Sequence, residues 1–256
     1  MVLDLDDATY IAYSSPTYGA LASLVKCFGK TTDLLRWADV VTCGNEVIAK
    51  HAIAAGKNAM ILPTTVDHNI FQPGPGRLAQ PPVLGWIGTH STYPFMEALL
   101  PTLEQLAEHH SFRVLIVGSG RAGARFKNLQ VEFRDWSLTR ETADFQSISI
   151  GLYPLEETPY ANGKSGFKAI QYMMLGIPFV VSPVGICRTL GEPGRTHLLA
   201  RTSDEWLEAL KLLLCDTHRA RLMGQAGRDF ALRHYKLETL ASTLGEALRV
   251  AATSNA

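Results

Sequence analysis

The chain has 256 residues, of which 46% are hydrophobic and 19% charged, and its 24 Lys+Arg balance 24 Asp+Glu. This composition fits a soluble globular protein rather than a disordered one and leaves no global field favouring nucleic acid or an anionic membrane. The length suffices for one large or two modest domains. No run is long enough to span a bilayer and no basic-then-apolar leader opens the chain, so a cytoplasmic location is expected, with at most peripheral membrane contact. Cys27, Cys43, Cys187 and Cys215 are dispersed, which reads as buried free thiols in a reducing compartment rather than as a metal or redox motif.

Short apolar runs alternate with helical patterns nearly throughout. Residues 2–5 predict a strand that ends in Asp4, Asp6 and Asp7; that spacing lacks the ligand pattern of a calcium loop, so no metal is expected. A helical stretch over 21–37 leads to a strand at 40–43 closed by Gly44. Asn45 caps a helix over 46–55, Gly56 stops it, and a strand at 59–62 completes a βαβ unit, which implies a parallel sheet. The segment 72–82, dense in Pro and Gly, is the best linker. A second alternating series follows: a strand at 83–87, a polar loop at 88–92, a helix to His109 with Pro94 in its first turn, and strands at 113–117 and 131–133. A short helix over 140–146, a strand at 148–153, a helix carrying Lys168, and a strand at 178–181 come next. Helices over 205–214, 219–234 and 237–251 close the chain. The predicted class is α/β: one complete doubly wound parallel sheet, Rossmann-like, preceded by the tail of another.

Residues 162–182 hold the most chemical information. Lys164, Lys168 and Gln171 are spaced four and three apart, which puts them on one helical face near its N-terminus. Two lysines beside unpaired N–H groups suit a phosphate-bearing ligand, although a solvated surface helix with ordinary lysines has the same pattern. The loop Gly88-Thr89-His90-Ser91 and the loop Gly163–Gly166, with Ser165 inside it, both follow strands. Both are expected at the sheet edge where ligands sit. Arg134-Asp135-Trp136-Ser137 follows another strand at that edge; its backbone suits pairing with a base, and Trp136 either packs there or is plain core. A diphosphate on two helix starts, a ribose near Gln171 and a base near residues 134–137 together make a site for a nucleoside diphosphate. Gly118-Ser119-Gly120 resembles the opening of a dinucleotide fingerprint, but no helix opens at Gly118, so a nicotinamide site has little support.

Several phrases are, as an ordered set, similar to one family. They are Ala38–Val41, Ile61–Asp67, Phe71–Pro73, Gly85–Gly88, Leu175–Gly185, Leu222–Gly224, Gly227-Arg228 and His234-Tyr235. The set resembles glycosyltransferase family 4 and its relatives of the GT-B fold over about residues 35–245. The resemblance implies residues 1–71 as the remnant of an acceptor domain and 72–82 as the linker. Residues 83–234 become the nucleotide-sugar-binding domain, and 235–256 a helix packing back on the N-terminal part. It also implies sugar transfer with retention from a UDP- or GDP-linked donor to a glycan, lipid or small-molecule acceptor, without a cofactor. Three departures matter. Gly163 and Gln171 stand where many members carry glutamates, and Thr89, His90 and Ser91 stand where an Arg/Lys pair is usual. Most of the N-terminal domain is absent. Lys164 and Lys168 are expected to supply the missing charge as the catalytic pair, in a subgroup with a Gly-Lys-x-x-x-Lys start. A second chain or a second copy is expected to complete the fold, and a non-catalytic nucleotide-sugar-binding subunit is the alternative reading.

Overall fold

The computed structural model describes residues 1–11, 29–74, 79–120 and 128–253. The first part of the expected helix over 21–37, Cys27, four linker residues (75–78) and Gly123 lie outside these. Two parallel sheets organise the chain. The first has β1 (Val2–Leu5), β2 (Val40–Cys43) and β3 (Asn58–Ile61) side by side in that order. Helices α1 (Gly29–Trp37) and α2 (Glu46–Ala54) connect them. Leu5, Val41 and Cys43 meet Leu35, Ile48 and Ala52 on one face of this sheet. On the other face Val40 is buried against Ala247 and Ala251 of the last helix.

The second sheet has six strands in the order β6-β5-β4-β7-β8-β9: β4 (Val83–Ile87), β5 (Arg113–Val117), β6 (Val131–Arg134), β7 (Ile150–Tyr153), β8 (Phe179–Val181) and β9 (Leu198–Leu199). All pairs are parallel, and the order reverses beside β4, which is the doubly wound arrangement. The register explains why the strands read as continuous apolar runs. Leu84, Trp86, Val114, Ile116 and Val180 face one core, while Val83, Ile87, Leu115, Val117, Phe179 and Val181 face the other. Both faces of the central strands β4, β7 and β8 are therefore covered.

Helix α3 (Tyr93–Ala107) packs into the first core through Met96, Leu99, Leu100, Leu103 and Leu106. Pro101 lies inside this helix; an interior proline costs on the order of 3 kcal/mol, and five buried side chains at about 1.5–3 kcal/mol each outweigh it. After α4 (Glu141–Gln146) and the single turn α5 (Pro159–Asn162), helix α6 (Phe167–Met174) fills the second core with Ala169, Ile170, Tyr172, Met173 and Met174. Helices α7 (Ser203–Cys215) and α8 (Thr217–His234) follow, and α9 (Leu237–Thr253) returns to the first sheet. Arg228 of α8 ties the units together by donating to the carbonyls of Phe71 and Met174 and to the Gln72 side chain.

Two expectations are corrected here. Cys215 is exposed, whereas Cys43 and Cys187 are buried, so the thiols are not uniformly internal. The strand expected from residue 148 begins at Ile150, where the pairing with Leu84 of β4 starts; before it Ile148 N–H still bonds back to the Phe145 carbonyl at the end of α4.

Candidate functional site

In an open parallel sheet the loops leaving the strand C-termini surround the ligand crevice. Here the loops after β4, β5 and β6 are packed on one another. Gly88 N–H donates to the Val117 carbonyl at 3.1 Å and Gly118 N–H to the Arg134 carbonyl at 2.9 Å. Gly118 has φ +79°, and a Cβ there would overlap the Gly88 carbonyl oxygen and touch Trp136. Only glycine allows both the left-handed backbone and the approach. The loop after β4 is knit by hydroxyls: Thr89 and Ser91 share a 2.8 Å bond, and Thr89 N–H donates to the Thr92 side chain at 3.2 Å. His90 is exposed at its tip. Trp136 is 48% exposed, which resolves the alternative between core and surface in favour of surface. Asp135 is also exposed, and its carbonyl accepts from Arg140 at 2.7 Å.

The segment carrying the lysines is built differently from its sequence reading. Helix α6 starts only at Phe167, because Gly166 at φ +70° stands as its N-cap and the preceding turn ends at Gly163. Lys164 is therefore on the loop and not on one helical face with Lys168 and Gln171. Gly166 supplies no side-chain cap to the first turn of α6, leaving N–H groups there for an anion. Ser165 is buried, and a Cβ at position 163 would overlap that of Ala8. Asn45, itself buried, donates to the carbonyls of Gly163 at 3.0 Å and Lys164 at 3.1 Å. The first sheet thus fixes the loop of the second unit. The Lys164 ammonium lies 5.2 Å from the Tyr160 ring centre, and its charge helps offset the rise that burial imposes on the Asp6 pKa.

Three side chains proposed to face a ligand are spent internally. Lys168 Nζ lies 3.3 Å from Glu141 Oε1 and donates to Gln171 Oε1 at 2.9 Å. Burial lowers its pKa and the Glu141 carboxylate partly restores it. Gln171 is fully buried, so its amide does not reach the crevice. Arg134 donates to Glu132 at 2.6 Å and to the buried Asp144 at 2.8 Å, and the Glu132 bond leads the causes that raise its pKa. Glu141 and Asp144 escaped sequence reading because nothing in the spacing of α4 marks them; only the adjacency of α4 and α6 does. Among the described residues no group of His, Cys, Asp and Glu is arranged to hold a metal ion. Asp4 accepts from Thr42 at 2.6 Å and Asp6 from Thr64. A cavity of about 690 Å³ exists, but Pro82, Ser149 and Pro178 line it at the opposite, N-terminal ends of the strands.

A doubly wound sheet with convergent glycine loops and an uncapped helix start at its C-terminal edge defines a Rossmann-type unit of the kind that holds nucleotides. The chain belongs to the glycosyl transferases group 1 family, whose model matches residues 81–216. No curated protein matches it in sequence. Among solved structures it is similar to sucrose-phosphate synthase from Thermosynechococcus elongatus, with 19% identity and a TM-score of 0.74, covering 97% of this chain and 67% of that one. HepE from Anabaena, solved in complex with UDP-glucose, has 17% identity and a TM-score of 0.72, covering 97% and 71%. TarM has 13% identity and a TM-score of 0.73, covering 96% and 49%. These likenesses establish the GT-B type of fold. Among the described residues no helix is long and apolar enough to cross a membrane.

Proposed function

We propose that this chain binds a nucleoside-diphosphate sugar, UDP- or GDP-linked, and transfers the sugar with retention to a glycan, lipid or small-molecule acceptor. The observation that carries the reading is the convergence of the β4, β5 and β6 loops beside an uncapped α6 N-terminus with Lys164 on the loop before it. Family membership and the UDP-glucose complex of HepE support it. In this reading the departing diphosphate is stabilised by Lys164 and the first-turn N–H groups, which is electrostatic catalysis without a metal or cofactor. Lys168, paired with Glu141, acts on that charge only indirectly. The base lies along the backbone of residues 134–137, with Gly88, Thr89, His90 and Ser91 on the phosphate side.

Residues 83–234 serve as the donor domain and residues 1–71 as part of an acceptor domain in a cytoplasmic enzyme of the Gly-Lys-x-x-x-Lys subgroup of family 4. The internal pairing of Lys168 favours one second reading, a subunit that binds donor without turning it over. Calorimetry and donor hydrolysis with UDP- and GDP-sugars separate the two. Lys164→Ala is expected to weaken nucleotide binding by about 1–3 kcal/mol. Unchanged affinity in that variant removes the phosphate assignment.

A further inference from the structure

The cavity of about 690 Å³ at the N-terminal ends of the strands has no part in the donor site, and its lining is selective. Ile150, Pro178, Leu213 and Ala220, all buried, make its apolar floor. One face of α8 makes another wall: His218, Arg221, Gln225 and Arg228 follow at spacings of three and four, and all four line the space. Arg228 is engaged with the carbonyls of Phe71 and Met174 and with Gln72. Arg221 is exposed at the rim and makes no ion pair or side-chain hydrogen bond among the described residues. No Asp or Glu of the described residues lines the cavity. Asp216, which precedes α8, turns its carboxylate to the Arg219 N–H at 2.8 Å. A space this large is a ligand-sized pocket and not a packing defect.

We propose that this cavity binds an aliphatic carboxylate of the fatty-acid type, with its chain on the floor and its head on Arg221. The walls carry Ile, Leu, Pro and Ala but no Phe, Tyr or Trp among the described residues. They offer dispersion contact to a flexible chain and no ring for a planar base to stack on. A guanidinium fork matches a carboxylate with two parallel N–H···O bonds, and the absence of acids from the described lining removes any partner for a cationic head. The cavity lies at the strand ends opposite the β4, β5 and β6 loops, so its occupant leaves the donor crevice clear whatever nucleotide that crevice takes. Arg228 shares the α8 wall and also holds Phe71 and Gln72, so the occupant sits beside the tie between the two units.

Calorimetric titration of the full chain with hexanoate, octanoate, decanoate and decyltrimethylammonium tests it. The expected result is one carboxylate per chain, with affinity rising about tenfold for each two methylenes added. Decyltrimethylammonium, which has the same chain and the opposite charge, should bind at least about tenfold more weakly than decanoate. Arg221→Gln is expected to weaken decanoate about tenfold and to remove its advantage over the ammonium. Ala220→Leu, which puts a side chain into the cavity, should abolish decanoate binding. No binding by the native chain, affinity that ignores chain length, or equal binding of the two decyl compounds overturns the proposal, and these comparisons need no variant. Decanoate affinity unchanged in Arg221→Gln overturns it too.

Discussion

Asn45 joins the two units at a single side chain, and its replacement separates two jobs. Its Oδ1 accepts from the N–H groups of Val47 at 2.9 Å and Ile48 at 3.0 Å, while its Nδ2 donates to Gly163 and Lys164 across 118 and 119 residues of chain. Removing an N-cap costs about 1 kcal/mol. Leaving carbonyls without donors at a buried site adds about 1–3 kcal/mol, so Asn45→Ala is expected to cost about 2–4 kcal/mol in all. For a chain of this size that lowers Tm by roughly 5–15 °C. Asn45→Ser keeps a capping oxygen but cannot span to Gly163, so it loses the latch alone, about 1–3 kcal/mol. Thermal melts with hydrogen exchange read by mass spectrometry distinguish the two losses. Asn45→Ser should keep protection over 46–54 and lose it over 163–168. If exchange over 163–168 is unchanged in Asn45→Ser, the latch is not holding the loop and the reasoning fails.

His197 is buried, stacked on Phe179 with ring centres 5.2 Å apart, and burial pushes its pKa down to about 4 from 6.5. The native state therefore binds fewer protons than the unfolded chain between those values. Stability is full above about pH 7 and falls by up to about 3 kcal/mol as pH drops to 4. Urea midpoints across that range should show the slope, and His197→Phe should flatten it; an equal slope in the variant refutes the assignment. Arg134→Met strands Asp144, which is 3% exposed, and is expected to cost about 3 kcal/mol, part of which Asp144→Leu recovers in the double variant. A fall in nucleotide affinity without a fall in stability would instead mean that Arg134 faces the ligand. Gly118→Ala meets the Gly88 carbonyl from a positive φ, so its urea midpoint should drop by the equivalent of about 1–3 kcal/mol; an unshifted curve contradicts the packing of the loops.

Much of the fold was legible because the periodicities were unambiguous. Strands such as 83–87 and 114–117 carry no polar side chain at any position, which only a sheet covered on both faces explains. Asn45, Gly56 and Pro94 marked helix ends by mechanisms that act locally. The two-residue β9 was missed because its pairing with β8, at Val180 and Val181, gives so short a run no pattern of its own. The candidate site was legible only as a location. A spacing of four between Lys164 and Lys168 suggested a shared face, yet one left-handed glycine at 166 broke the helix between them. Glu141 and Asp144, which pair with Lys168 and Arg134, are on α4, 27 and 10 residues away. Charge pairing between elements has no periodic signature, so the neutralisation of these cations was invisible until the helices were juxtaposed.

The closing helix bears on how the chain matures. One side of the β1–β2–β3 sheet is covered by residues near it in sequence, but its other side is sealed by Ala247 and Ala251, which leave the ribosome after every strand of both sheets. The six-stranded unit therefore has all its parts while Val2, Val40 and Met60 still await their cover. A polypeptide cut short before Leu237 would carry a greasy ribbon open to self-association.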